Sequence, residues 1–394
     1  MSASLLSPAS IAIIGASKTP GKVGHAILAN LVNDGFEGDI IPINPGAGEI
    51  CGKKCYPSLA EYGSRIELAI IVVPPAAVLQ AVRDSIAAGA QAIIVITAGF
   101  KEVDTDGAAA EKEIATLCKE HRVRLLGPNC LGAINAHHNM NASFAPHMPP
   151  KGGISVISQS GALCTAILDW AASRKLGMSK IISMGNKADL TETDFIEILS
   201  ADDQTRVIVG YLESIDSGKE FIHAAAAASA KKPLVIFKSG VTSAGGKAAS
   251  SHTGSLAGAD IAYGAAFRRS GVVRADTFEE MFDYAMAFSM QPLPRGDRVA
   301  IITNAGGPGI MAADAVELSG MKVSPLEKAH ASALRSQLPK AASVSNPIDV
   351  LGDADPQRYV QAVEAALDDS SIDALVVILT PQAMTKPAET AMAL

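Results

Sequence analysis

An α/β protein of three consecutive parallel-sheet domains is the fold class this sequence predicts, and three observations predict it. Short β-branched runs alternate with helical stretches along the whole chain. Three segments each open with a strand that runs through a small-residue turn into a helix. Pro- and Gly-rich stretches at 137–152 and 291–296 punctuate the alternation.

The first series places strands at 11–15, 39–43, 68–73, 92–97 and 123–127. Their apolar runs are continuous, which requires burial on both faces of a parallel sheet joined by crossover helices, so residues 1–136 read as one doubly wound domain. Residues 137–152, rich in Pro, His, Asn and Gly, read as a linker. A second series follows at 154–158, 180–184, 206–212 and 234–238, with a helix near 163–173, giving a domain over 153–290. The third series opens at 299–303 and continues at 322–324 and 374–379, giving a domain over 297–394. The sequence stops at Leu394, a few residues into a helix, so this last domain reads as incomplete.

Composition removes several classes of function. With 48% hydrophobic and 19% charged residues the chain is globular, and a net charge of −7 without a basic stripe argues against a nucleic-acid partner. The longest apolar run, 68–79, is broken by Pro74 and Pro75 and is too short for a bilayer, which takes about 20 residues. Residues 1–6 lack a basic segment leading into an apolar one, so no secretory signal is visible and a cytoplasmic location is expected. Cys51, Cys55, Cys118, Cys130 and Cys164 form no C-x-x-C pair and read as reduced thiols, mostly buried, with no metal site.

The chemistry is expected at the turns. Ile14-Gly15-Ala16-Ser17, Ser158-Gln159-Ser160-Gly161 and Asn304-Ala305-Gly306-Gly307-Pro308-Gly309 each lead a strand into a helix. A helix start offers unpaired N–H groups and the positive end of the dipole, so each turn is suited to an anion. The first departs from G-x-G-x-x-G, and the second strand ends in Ile43-Asn44-Pro45 without the acid that would hold a ribose hydroxyl. An NAD-dependent oxidoreductase is therefore disfavoured, while Lys18 and Lys22 are available to phosphates or simply to water. His252 lies among small residues, in Ser250-Ser251-His252-Thr253-Gly254, a setting that lets an imidazole reach two partners in turn and carry a phosphoryl group.

Taken in order, these motifs, with Val73-Pro74-Pro75, Thr97-Ala98-Gly99-Phe100 and Gly127-Pro128-Asn129-Cys130-Leu131-Gly132, resemble the NDP-forming acyl-CoA synthetases. That superfamily contains succinyl-CoA synthetase and ADP-forming acetyl-CoA synthetase. The resemblance implies a Rossmann-like CoA-binding domain followed by two flavodoxin-like domains. It implies CoA on Gly15, Ser17, Lys18, Lys22, Asn44, Val73, Pro74, Ala98 and Gly99. It makes His252 the phosphorylated residue and Glu213 the carboxylate paired with it, with Ser160, Gly161, Gly306, Gly307 and Gly309 holding the phosphate.

The implied reaction interconverts a small carboxylic acid, ATP and CoA with acyl-CoA, ADP and phosphate, through an acyl phosphate and the phosphohistidine. No ATP-grasp segment precedes Leu394, so ATP or ADP and Mg2+ are expected on a further domain or a separate subunit, and the family's habit implies an oligomer. Gly46 follows Asn44-Pro45 where the family often has a lysine, so the resemblance does not carry that lysine's phosphate contact to CoA onto this chain. The alternative is a CoA-binding regulatory module of the kind fused to protein acetyltransferases. The remaining histidines receive no role in catalysis: His137 and His138 read as solvated, and His25 as either a helix-start contact or part of the CoA pocket. Asp349 ends a strand without an assigned role.

Overall fold

The strand Ser10–Ile14 shows why its apolar run is unbroken. Ile11 and Ile13 belong to one buried cluster and Ala12 to another, so alternate residues feed cores on opposite faces of the sheet. The same split holds for Leu68 and Ile70 against Ala69 and Ile71. One face is closed by Ile27, Leu28 and Leu31 of the helix Val23–Asn33, the other by Val78 and Val82 of Pro75–Ala87 and by Ile114 of Thr105–Glu120. In this computed structural model, which describes residues 3–242, 244–246 and 260–394, the first sheet is fully parallel. Its strands run in the order Asp39–Ile43, Ser10–Ile14, Leu68–Ile71, Ala92–Val95, Arg124–Leu126.

The second sheet has seven strands, in the order Val273–Ala275, Leu234–Lys238, Val207–Leu212, Lys151–Ser158, Met178–Ser183, Gly132–Asn135, Met140–Ser143. The first five are parallel, and the last two form an antiparallel hairpin on its edge. This corrects the linker expected at 137–152. The polar residues there satisfy one another inside the fold: Asn135 Oδ1 accepts from the His137 N–H at 3.1 Å, and the fully buried Asn141 accepts from Ser143 Oγ at 2.6 Å. Asn30 then donates to the carbonyls of Ser143 and Ala145, both at 2.8 Å, fastening the hairpin to the first domain.

The two histidines of this stretch are half-buried rather than solvated. His137 Nε2 lies 2.9 Å from the Gly152 carbonyl and His138 Nε2 3.0 Å from that of Pro8, with the His138 ring edge-on to Phe36. One buried cluster runs from Ile11 and Ile27 through Ala133 to Ile182 and Ile208, so both sheets belong to a single compact unit, Met1–Gln291.

A second unit, Pro292–Leu394, is built around the strand Arg298–Thr303. It pairs in parallel with Ala374–Ile378 along its length, with Lys322–Val323 at its start and with Ile348–Asp349 at its end. Between the two short partners the side chain of Asn346 completes the ladder. Its Oδ1 accepts from Ile301 N at 2.9 Å, and its Nδ2 donates to Val299 O at 2.8 Å and Ser324 O at 2.6 Å. Asp349 turns the chain locally, its Oδ1 accepting from Leu351 N at 2.8 Å. Among the described residues no helix is long and apolar enough to cross a membrane.

Candidate active site

The first turn is shaped by glycine. Gly15 has φ +95°, and a Cβ there would lie 2.7 Å from the Val72 carbonyl oxygen; one on Gly24 would lie 2.2 Å from the Gly15 carbonyl oxygen. Strand, turn and helix therefore meet at backbone distance, which only glycine permits. Asn44 holds this arrangement, donating to Ala16 O at 2.6 Å and accepting from Gly46 N at 2.7 Å. Ser17 Oγ accepts from Thr19 N at 3.1 Å, and its carbonyl meets His25 Nδ1 at 3.0 Å, so His25 is a helix-start contact. Lys18 and Lys22 are exposed beside it.

The neighbouring loops are pinned in the same manner. Thr97 Oγ1 donates to Val73 O at 2.7 Å, just before Pro74 caps the helix Pro75–Ala87. Gly99 has φ +109°, and its N–H and that of Phe100 donate to Glu102 Oε1 at 2.6 and 3.2 Å. Burial opposes ionisation of Glu102, but the Asn186 side chain and these two N–H groups outweigh it and hold its carboxyl below the ordinary range. Asn186 also donates to Glu111 at 2.7 Å, while Lys101 reaches the Asn186 carbonyl, so the 98–102 loop is tied to the end of the strand Met178–Ser183.

At the second turn, Ser158 Oγ accepts from Ser160 N at 3.0 Å and donates to Ser160 O at 2.9 Å, and Ser160 caps the helix Gly161–Arg174. Gln159 between them is buried and faces the end of the strand Val207–Leu212. Its Oε1 accepts from Glu213 N at 2.6 Å and Ser214 N at 2.9 Å, and its Nε2 donates to Ser214 O at 2.7 Å. Glu213 is 7% exposed, and its N–H is bound to Gln159, the residue before the N-cap Ser160. Its predicted partner His252 lies outside the described residues.

Loops of both sheets in the first unit enclose a cavity of about 600 Å3. Val72, Thr97 and Ala98 line it from the first domain, and Gln159, Ser160 and Gly161 from the second. Of the residues expected to hold CoA, only Ala98 is part of this lining. Gly15, Asn44 and Val73 serve the backbone of the first turn and its neighbours. Lys187, which the sequence reading missed, also lines the cavity with a nearly buried side chain. It is neutralised there by Glu192 and Asp216, each at 2.9 Å.

Another buried cation, Lys238, ends the strand next to that of Glu213. Burial lowers its pKa, against the opposing pull of Asp260; its Nζ donates to Ser239 O and sits 4.4 Å from the Tyr263 ring centre. Burial pushes the thiols of Cys130 and Cys164 up to about 12, so neither is a nucleophile at neutral pH.

The third turn repeats the second within its own unit. Thr303 Oγ1 accepts from Ala305 N at 3.0 Å and donates to Ala305 O at 2.9 Å, and the helix Gly306–Leu318 begins at once. Asn304 donates to Thr380 O at 2.9 Å and accepts from Thr380 N at 2.7 Å. A Cβ on Gly306 or Gly307 would meet nothing within 4 Å, whereas one on Gly309 would lie 2.9 Å from Thr303 Cγ2. Gly309 is thus a packing glycine, and Gly306 and Gly307 leave the helix start open. Among the described residues no group of three His, Cys, Asp or Glu side chains is placed to hold a metal.

Three family models match the chain in succession: a CoA binding domain over 9–136, a succinyl-CoA ligase like flavodoxin domain over 151–288 and a ligase-CoA domain over 299–393. The ADP-forming acetate–CoA ligase of Methanocaldococcus jannaschii is 48% identical over 350 residues, which cover 89% of this chain and 49% of that protein. The chain thus spans about half the length of that relative. Subunit alpha of the Pyrococcus furiosus ADP-forming acetate–CoA ligase I is 40% identical over 392 residues, covering 98% of this chain and 84% of the subunit. The solved dinucleotide-forming acetyl-coenzyme A synthetase 1 of Candidatus Korarchaeum cryptofilum, in complex with phosphate and ADP, superposes with a TM-score of 0.95 at 38% identity, covering 99% of this chain and 84% of that one. Turns, strand order and these likenesses agree: the chain belongs to the NDP-forming acyl-CoA synthetase superfamily.

Proposed function

We propose that this chain is the CoA-binding and phosphoryl-carrying part of an ADP-forming acyl-CoA synthetase. Phosphate attacks the thioester carbonyl of an acyl-CoA, the C–S bond breaks, and CoA leaves with a proton as an acyl phosphate forms. A nitrogen of His252 then takes the phosphoryl group and releases the carboxylate, and ADP receives that group in turn. The reverse sequence makes acyl-CoA from acid, ATP and CoA. The observation that carries this reading is the cavity on which Thr97 and Ala98 converge with the helix start at Ser160 and Gly161. There, preorganised N–H groups stabilise transferred negative charge without having to reorient.

In this reading Gly15, Ser17, Lys18, Lys22, Asn44 and the loops at Val73-Pro74 and Ala98-Gly99 serve CoA. Glu213 fixes the tautomer of His252 and stabilises the charge that develops on it. Gly306 and Gly307 give the third domain a phosphate-ready helix start of its own, which Gly309 lets pack closely on Thr303. The naming of the Pyrococcus relative as a subunit alpha supports a further subunit or domain, to which we assign the ATP-grasp nucleotide site and its Mg2+.

The test is to incubate the chain and its His252→Ala variant with phosphate and a panel of acyl-CoAs and to weigh both intact. An acid-labile phosphate on the wild type alone is expected, and the acyl-CoA that produces it names the acid. CoA binding with no phosphate on either protein overturns the carrier role in favour of a regulatory CoA module.

A further inference from the structure

Gln159 is buried at the edge of the cavity, and its side chain joins the two elements between which the proposed phosphoryl path runs. Its backbone sits in the turn that opens the helix Gly161–Arg174, and its amide grips the loop after the strand Val207–Leu212. All three bonds are short, at 2.6, 2.9 and 2.7 Å, and they use both the acceptor and the donor of the amide. Glu213 and Ser214 are therefore held by their backbones, from a residue adjacent to Ser160. The backbone of Gln159 is fixed in turn, its N–H donating to Tyr211 O at 3.2 Å, and Ser158 fastens Ser160 on its other side.

Asn304 occupies the equivalent place in the second unit and grips Thr380 with the same two atoms, which shows that the amide clamp belongs to this kind of turn. Gln159 has one more methylene, reaches one residue further, and the loop it holds contains a carboxylate.

We propose that Gln159 is a positioning residue for phosphoryl transfer, setting Glu213 against the helix start at Ser160 and Gly161. The proposal rests on the reading of Glu213 and His252 given above. A side-chain amide is suited to this work because it is neutral: a carboxylate at 159 would accept from the same two N–H groups but would repel both Glu213 and the Ser214 carbonyl.

The test measures the single-turnover rate at which acyl-CoA and phosphate phosphorylate the chain, together with the affinity for CoA, in Gln159→Met and Gln159→Asn. The controls are His252→Ala and Glu213→Gln. Displacing a catalytic group by about 1 Å costs about 100-fold, so Gln159→Met is expected to slow phosphorylation about 10- to 100-fold while CoA affinity stays within about twofold. Gln159→Asn keeps the amide on a shorter stem and should fall between Gln159→Met and wild type, a partial rescue that separates orientation from folding.

Equal loss of rate and CoA affinity, with a lowered melting temperature in both variants, would make Gln159 structural and overturn the proposal. So would a wild-type rate in Gln159→Met while the controls are dead. If the controls themselves keep the wild-type rate, it is the phosphohistidine reading that falls.

Discussion

The turns Ser158-Gln159-Ser160 and Thr303-Asn304-Ala305 solve one problem in two ways. In both, a hydroxyl at the end of a parallel strand ties back the residue that caps the next helix. In both, a buried amide satisfies the backbone of the loop that follows a neighbouring strand. Such a loop end would otherwise bury N–H and C=O groups without partners, and an amide is the neutral side chain that offers a donor and an acceptor together. They differ in what is gripped. Asn304 takes one N–H and one carbonyl of a single threonine, whereas Gln159 takes two N–H groups and a carbonyl and fixes a loop that carries Glu213. The same local device is a fold element in one unit and, in our proposal, a positioning element in the other.

The largest effect that tests this contrast is on stability. Asn304→Leu strands both backbone groups of Thr380, and at about 1–3 kcal/mol for each unsatisfied group it should lower the unfolding free energy of the unit Pro292–Leu394 by about 2–6 kcal/mol in a urea titration. The phosphorylation rate per folded molecule should fall less than in Gln159→Met. Equal rate losses with CoA affinity retained would mean that the two clamps perform the same task.

Glycine sharpens the comparison at the third turn. Gly309→Ala drives a methyl against Thr303 and should cost about 1–3 kcal/mol. Gly306→Ala meets open space and should change stability by no more than about 1 kcal/mol. If Gly306→Ala nevertheless weakens phosphate-dependent protection of the third domain in hydrogen exchange, that helix start is in use as an anion site.

The smallest expected effect concerns the first domain, where Glu102 holds its loop as an ionised carboxylate. Its folded pKa lies below the unfolded value, so its contribution is fully present above the ordinary glutamate range, near about 4.3, and is lost as pH falls through the lower folded value. Between pH 6 and pH 3 the wild type should therefore lose more stability than Glu102→Gln. Parallel urea titrations check this, and matching slopes would show that the hydrogen bonds from Gly99 and Asn186 do not depend on charge.

Much of this was legible in the amino-acid order because it rests on neighbours along the chain. Unbroken apolar runs announced strands buried on both faces, and small residues after a strand announced helix starts with free N–H groups. Glu213 was legible as a strand-end carboxylate, though the role we propose for it came from the resemblance. The hairpin at 132–143 was not, because a stretch rich in Asn, His and Ser is a loop by composition. It became a strand through bonds such as that from Asn30 to Ser143, 113 residues away.

Local pattern and propensity account for the three turns, the parallel strands between them and the helix starts that follow. Which side chain grips which loop came from the folded chain, since Gln159 meets Glu213 across 54 residues and Asn304 meets Thr380 across 76. A buried amide is specified by the partners that closure of the sheet brings to it, and no window of neighbouring residues contains them.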